Sequence, residues 1–168
     1  MRLRSAVAGT IVFFFVAPGI VAGLLPLWIT GTRLPDPFAG RGLMMAAGAL
    51  LIIAGLAVLI AAFAQFAIQG RGTPAPITPT ATLVVEGLYR YVRNPMYVAV
   101  LAIILGQALL FASVGALVYA AIVLAAVHTF VVTYEEPTLR ETYGAQYEAY
   151  ARGVRRWIPR PAPWHPAP

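Results

Sequence analysis

The sequence predicts an all-α integral membrane protein, with about four transmembrane helices followed by an amphipathic helix near the C-terminus. Three observations carry that prediction. Hydrophobic residues make up 60% of the 168 residues and charged residues only 11%, against roughly 25% charged in a soluble domain. With mean hydropathy at +0.79, so few charges cannot cover a soluble surface, and the bilayer must be the solvent. The chain also contains long uncharged runs, and lipid offers no partner to a bare peptide group, so such runs must close their own hydrogen bonds as helices. The length fits one domain over residues 1–168.

The spans read in order. Residues 5–30 and 43–69 are uncharged, longer than the roughly 20 residues a helix needs to cross a hydrocarbon core of about 30 Å. Pro18-Gly19 should kink the first. Its apolar stretch exceeds the h-region of a signal peptide, so it reads as a retained anchor. Residues 96–113 form a shorter third span. Residues 114–133 follow almost at once, so a tight turn near Ser113 to Gly115 makes these two a helical hairpin.

Orientation follows from the arginines. Arg33 and Arg41 lie between the first two spans, while the other ten arginines fall at the N-terminus, between residues 70 and 95, and beyond residue 134. Four spans put those three regions on one side. The bias places both termini in the cytoplasm, with the protein in the cell (inner) membrane. It also accounts for the net charge of +6 without nucleic acid. Arg152, Arg155, Arg156 and Arg160 are placed to meet anionic headgroups.

Between the second and third spans, Gly70 to Pro79 is punctuated by three prolines within six residues, which forbid helix. It reads either as a stiff linker or as a wall over a site. Leu83 to Gly87 is a short apolar patch suited to the interface. After Glu136, Pro137 suits a first helical turn. Thr138 to Arg152 then reads as an amphipathic helix with Leu139, Tyr143, Tyr147 and Tyr150 on one face and a Glu148–Arg152 pair at i,i+4. Trp157-Ile158-Pro159 ends the ordered part, leaving a proline-rich disordered or extended tail.

The charges mark a site. The chain holds six acids, four of them between Glu135 and Glu148. Acids at a helix C-terminus oppose the macrodipole, so Glu135 and Glu136 point to binding. His128 lies two turns before Glu135 and should share its face. Asn94 is a natural N-cap before Pro95, and Arg93 beside that helix start suits an anion. With no cysteine, no lysine and two histidines, there is no disulfide, Schiff base or metal centre to build.

These pieces form an ordered pattern: Arg93-Asn94-Pro95-Met96-Tyr97, a helical hairpin, Glu135-Glu136-Pro137-Thr138-Leu139, then Tyr143-Gly144-Ala145-Gln146-Tyr147 with Tyr150, ending Arg156-Trp157-Ile158-Pro159. It resembles the isoprenylcysteine carboxyl methyltransferase family, which is related to the membrane phospholipid N-methyltransferases. The eukaryotic enzymes carry histidine where this chain has Asn94, so the resemblance speaks for the superfamily rather than for a prenylcysteine substrate. It implies S-adenosylmethionine bound on the cytosolic side in a region made by residues 70–95 and 134–160. The acceptor would be a hydrophobic or lipid molecule entering from the membrane, bearing a carboxylate, thiol or headgroup. Catalytic roles would fall to Arg93, Glu135 and Glu136. The cofactor would touch these three together with Tyr89, Asn94, Pro95, Tyr97, His128, Tyr134 and Tyr147. Two other classes compete: a nicotinamide-dependent reductase of the related sterol type, which retention of NADPH would reveal, and a non-catalytic lipid-binding protein, which cofactor binding would exclude.

Overall fold

The computed structural model describes residues 18–69 and 83–165, and among them the regular elements are all helices, with no strand. Residues 5–17 of the expected first span and the proline-rich stretch 70–82 lie outside the described residues.

The first helix, α1, is an α-helix over Leu25–Thr30 entered through a π turn, Gly19–Leu24. Pro26 has no N–H, so the carbonyls that would meet it, Val21 in the register of the π turn and Ala22 in the α register, lose a helical donor. Gln107 supplies the missing proton, its Nε2 donating to Ala22 O at 2.6 Å. The Tyr119 hydroxyl likewise donates to Val21 O at 2.9 Å. Both donors come from the hairpin α3 (Pro95–Leu110) and α4 (Val114–Phe130). The irregular turn in α1 is therefore held by polar side chains from its neighbours.

Helix α2 (Arg41–Gln69) packs along α3. The backbones come unusually close: a Cβ on Gly48 would lie 2.6 Å from Gly106 O, and one on Gly106 2.7 Å from Gly48 O. Where lipid tails are as apolar as the side chains, close approach through small residues is what holds helices together. Ala99, Val100, Ile103 and Ile104 of α3 fill the interior with Leu59, Phe63, Ala120 and Val123. Leu43, Leu50, Ile53 and Ile60 of α2, with Val114, Val118 and Ile122 of α4, face outward. An apolar exterior is what lipid requires. Two helical stretches, Arg41–Gln65 and Val114–Tyr143, are long and apolar enough to cross a membrane; Gly19–Thr30 and Pro95–Leu110 are shorter.

The expected hairpin turn is present, with Ser113 Oγ capping α4 by accepting from Ala116 N at 3.2 Å. Asn94 does not cap α3 with its side chain. It is buried, and its Nδ2 donates instead to Arg156 O at 3.2 Å.

Helix α4 runs through a second π turn, Val131–Glu135, into α5 (Glu136–Tyr143). The single amphipathic helix expected over Thr138 to Arg152 is broken at Gly144, where φ is +50° and ψ −125°. Only glycine adopts that conformation cheaply, so the chain turns and restarts as α6 (Ala145–Gly153). The expected aromatic face survives the break. Tyr147, Tyr150 and Val154 form a second core with Leu83, Val85, Leu139, Tyr143 and Trp164. The expected Glu148–Arg152 pair does not form. Arg140, across the break, takes Glu148 at 2.8 Å.

The tail is extended rather than disordered as far as residue 165. It runs antiparallel to residues 90–93 as a strap: Arg93 N donates to Arg155 O, Arg160 N to Tyr91 O, and Trp164 N to Arg90 O, each at 2.9 Å. Arg90 Nε donates to Trp164 O at 2.7 Å.

Candidate functional site

A cleft of roughly 530 Å3, its open mouth included, lies where the membrane helices meet the C-terminal segment. Three parts of the chain wall it: Leu83 to Asn94, the Val131–Glu136 turn, and the aromatic face of α5 and α6.

The first wall is set by Gln65 near the end of α2. Its Oε1 accepts from Leu88 N at 3.3 Å. Gly87, at φ +55°, lets the chain pass so close that a Cβ would strike the Gln65 amide. The short 3-10 turn Gly87–Arg90 that follows directs Tyr89 inward. The strap then pins Arg93 and Asn94 from behind.

Glu136 is the electrostatic hub. Its side chain is 4% exposed and meets three arginines. Arg156 binds it with two prongs, Nε to Oε1 at 2.6 Å and a terminal nitrogen to Oε2 at 2.9 Å. Arg93 reaches Oε1 at 3.1 Å and Arg140 reaches Oε2 at 3.5 Å. Two-pronged guanidinium–carboxylate pairs are the strong kind. The bond to Glu136 raises the Arg156 pKa, so the guanidinium stays charged. Arg93 also donates to the Tyr147 hydroxyl at 3.1 Å, while its Nε is buried with no hydrogen-bond partner among the described residues.

Glu135 is different. It lines the same cleft, but its bond is to a neutral group, the Tyr97 hydroxyl donating to Oε2 at 3.2 Å. No arginine forms an ion pair with it among the described residues. One glutamate is thus neutralised from three sides, and its neighbour is not.

The aromatic wall is neutral. Burial pushes the Tyr150 hydroxyl pKa up, and the hydroxyl donates to Tyr89 O at 2.7 Å. Burial does the same to Tyr89 and Tyr147, Tyr147 being pushed further by Glu136 and held back by Arg93. Tyr147 and Tyr150 meet edge to face, ring centroids 6.3 Å apart.

Of the residues singled out in the sequence, the structure brings Tyr89, Arg93, Asn94, Glu135, Glu136 and Tyr147 to the cleft. Pro95 starts α3 and is buried behind it. Tyr97 stands behind Glu135. Tyr134 is turned away, its ring 5.3 Å from Phe130. His128 is exposed on α4 and accepts a bond from Trp157. Its expected alignment with Glu135 assumed a plain α-helix, and the π turn between them widens one turn and breaks that register. Val131 takes the place beside the glutamates. Val131, Leu83 and Val84 were not foreseen as lining; the face of Leu139, Tyr143 and Tyr150 was visible in the sequence, though not what it faces.

A helical body with an apolar exterior thus carries a polar, aromatic-walled cleft, the architecture of a membrane protein with a candidate site. The family model of phospholipid methyltransferases matches residues 43–146, from α2 to the start of α6. The chain belongs to that family and is a membrane methyltransferase. The isoprenylcysteine methyltransferase-like proteins fall in the same superfamily. No curated protein and no solved structure matches it significantly.

Proposed function

We propose that the protein transfers the methyl group of S-adenosylmethionine to a lipophilic acceptor at the cytoplasmic face of the cell membrane. The observation that carries this reading is the inequality of the two glutamates. Methyl donors of the family's kind carry an ammonium and a sulfonium. A carboxylate in a half-enclosed site, held by a tyrosine rather than an arginine, attracts such cations strongly because little water screens it. Glu135 is that carboxylate, and Tyr97 orients it. Glu136 acts one step back, fixing Arg93 and Arg156. Three guanidiniums around one buried carboxylate leave positive charge in excess, which suits the carboxylate of the methionine moiety, and Arg93 Nε is a donor still to be used. Tyr89, Tyr143 and Tyr147 offer flat, neutral walls for a purine.

When bound, the cofactor supplies an electrophilic methyl group on sulfur. The residues of the chain hold the reactants in line and keep water out, which supplies most of what such a transfer needs. No nucleophilic side chain is required, so a chain without cysteine or lysine is no obstacle. The carboxylate, thiol or headgroup acceptor would come from the lipid side, and a phospholipid amine, suggested by the family's description, would have to shed a proton, for which Glu135 is the base within reach of the cleft. Four spans with cytoplasmic termini would put the cleft on the arginine-rich side, supported by the ten-to-two arginine split.

Calorimetry in lipid nanodiscs tests the reading. Wild-type protein should bind S-adenosylmethionine and ignore NADPH. Glu135→Gln should weaken binding about 30-fold or more, the loss expected when one partner of a desolvated charge pair goes, about 2–5 kcal/mol. Wild-type affinity in that variant would remove Glu135 from the site.

A further inference from the structure

We propose that the Arg156–Pro159 turn is a lateral gate, latched by Trp157 on His128, through which the acceptor passes from the bilayer into the cleft. This deepens the reading above and rests on it. Adjacent residues of one extended segment point to different places. Arg156 is anchored on Glu136 in the cleft by bonds of 2.6 and 2.9 Å. Trp157 reaches outside it, its Nε1 donating to His128 Nδ1 at 3.2 Å with the rings 6.0 Å apart.

His128 lies seven residues before Glu135, roughly 10 Å along the helix at about 1.5 Å per residue. The turn therefore reaches below the polar floor of the cleft, onto the apolar part of α4, where Leu124 and Val132 are exposed. The indole also lies 6.5 Å from the ring of Tyr97, whose hydroxyl holds Glu135. It thus fills the space between the first turn of α3 and α4, one layer outside the uncompensated carboxylate. Ile158, next in the chain, is 62% exposed and presents an apolar side chain beside it.

The two attachments differ in strength. Arg156 is held by a buried charge through two bonds, which are hard to break. Trp157 is held by one neutral hydrogen bond to an exposed histidine and by ring contacts with His128 and Tyr97, none of which involves a buried charge. The segment is built to keep Arg156 in place while Trp157 swings, opening a path between α3 and α4 without dismantling the charged hub.

The chain has no cysteine, so His128→Cys with Trp157→Cys can be joined by a reducible bis-methanethiosulfonate spacer and released with reductant. The probe is phosphatidylethanolamine with a photoactivatable diazirine in its acyl chain, in nanodiscs with S-adenosylmethionine present. The unlocked protein should give adducts on Val131 and Leu139. Locking should lower their yield at least tenfold, reduction should restore it, and cofactor affinity should stay within about twofold throughout. Equal yield in the locked state, or no adducts at these residues in either state, overturns the gate. Failure of the wild-type protein to bind S-adenosylmethionine overturns the functional reading instead, since adduct formation does not depend on it. A second variant guards against misfolding of the first. With Trp157 left as sole tryptophan by Trp28→Phe and Trp164→Phe, His128→Ala should at least double the quenching of its fluorescence by dibrominated phosphatidylcholine. Unchanged quenching overturns the latch.

Discussion

Two neighbouring carboxylates of the same type carry different duties because of what surrounds them. Glu136 is buried among Arg93, Arg140 and Arg156, and Arg93 is itself only 12% exposed. Removing its charge strands the arginine. Glu136→Gln should therefore destabilise the fold by about 3–5 kcal/mol, the cost of breaking a buried pair from one side, read by denaturant unfolding in detergent. Glu135→Gln should leave that stability nearly unchanged while weakening cofactor binding. A reversal of the two outcomes would reverse the assignment. The sequence makes both glutamates conspicuous, as rare acids where arginine would be the cheap choice. It could not say which is neutralised, since Arg156 lies twenty residues beyond Glu136 and only the strap brings it back.

At the scale of elements, irregular turns are where polar side chains are placed. Pro26 deprives Ala22 O of its donor, and Gln107 from another helix replaces it. Pro26→Ala restores a backbone N–H that competes for the same carbonyl. Gln107→Leu should therefore cost less in a Pro26→Ala background than alone, with a coupling of at least about 0.5 kcal/mol in a double-mutant cycle. Additive effects would show that the bond does not matter to stability. At Gly144 the backbone stands in a region closed to other residues, and Gly144→Ala should cost about 1–3 kcal/mol, seen as a lower unfolding midpoint. The helices themselves were legible, because apolar runs of 16 to 29 residues leave little choice. The π turns were not. They add one residue to a turn, change no composition, and move His128 out of line with Glu135. The break at Gly144 was readable in hindsight, since a glycine between two short aromatic segments is a ready place for a helix to stop.

For the whole molecule, the body meets lipid and the cleft is finished by residues outside it. Tyr89, Tyr147 and Tyr150 all have hydroxyl pKa values raised by burial above the ordinary 10.0. Folding thus holds their protons more tightly than the unfolded chain does. Stability from these groups is fully present below pH 10 and falls as pH rises past it, because the unfolded state ionises first. Unfolding midpoints in detergent should be level through neutral pH and decline above about pH 10; replacing Tyr150 with Phe should soften the decline. The helical, apolar class of the fold and the clustering of charges at the candidate site could be read from composition and spacing. The strap could not, because its backbone bonds are indifferent to side chains, and a proline-rich, arginine-bearing tail looks the same whether it is loose or clasped.

The strap has a consequence for how the protein is made. Chains emerge from the ribosome N-terminus first, so the membrane helices are synthesised before residues 154–165. During that interval Glu136 and Arg93 are present without Arg156, Asn94 lacks the Arg156 carbonyl it binds, and the edge of residues 90–93 is bare. The candidate site is therefore incomplete until that segment is in place. The hub closes only when residues 154–165 fold back onto residues 90–93 and bring Arg156 to Glu136.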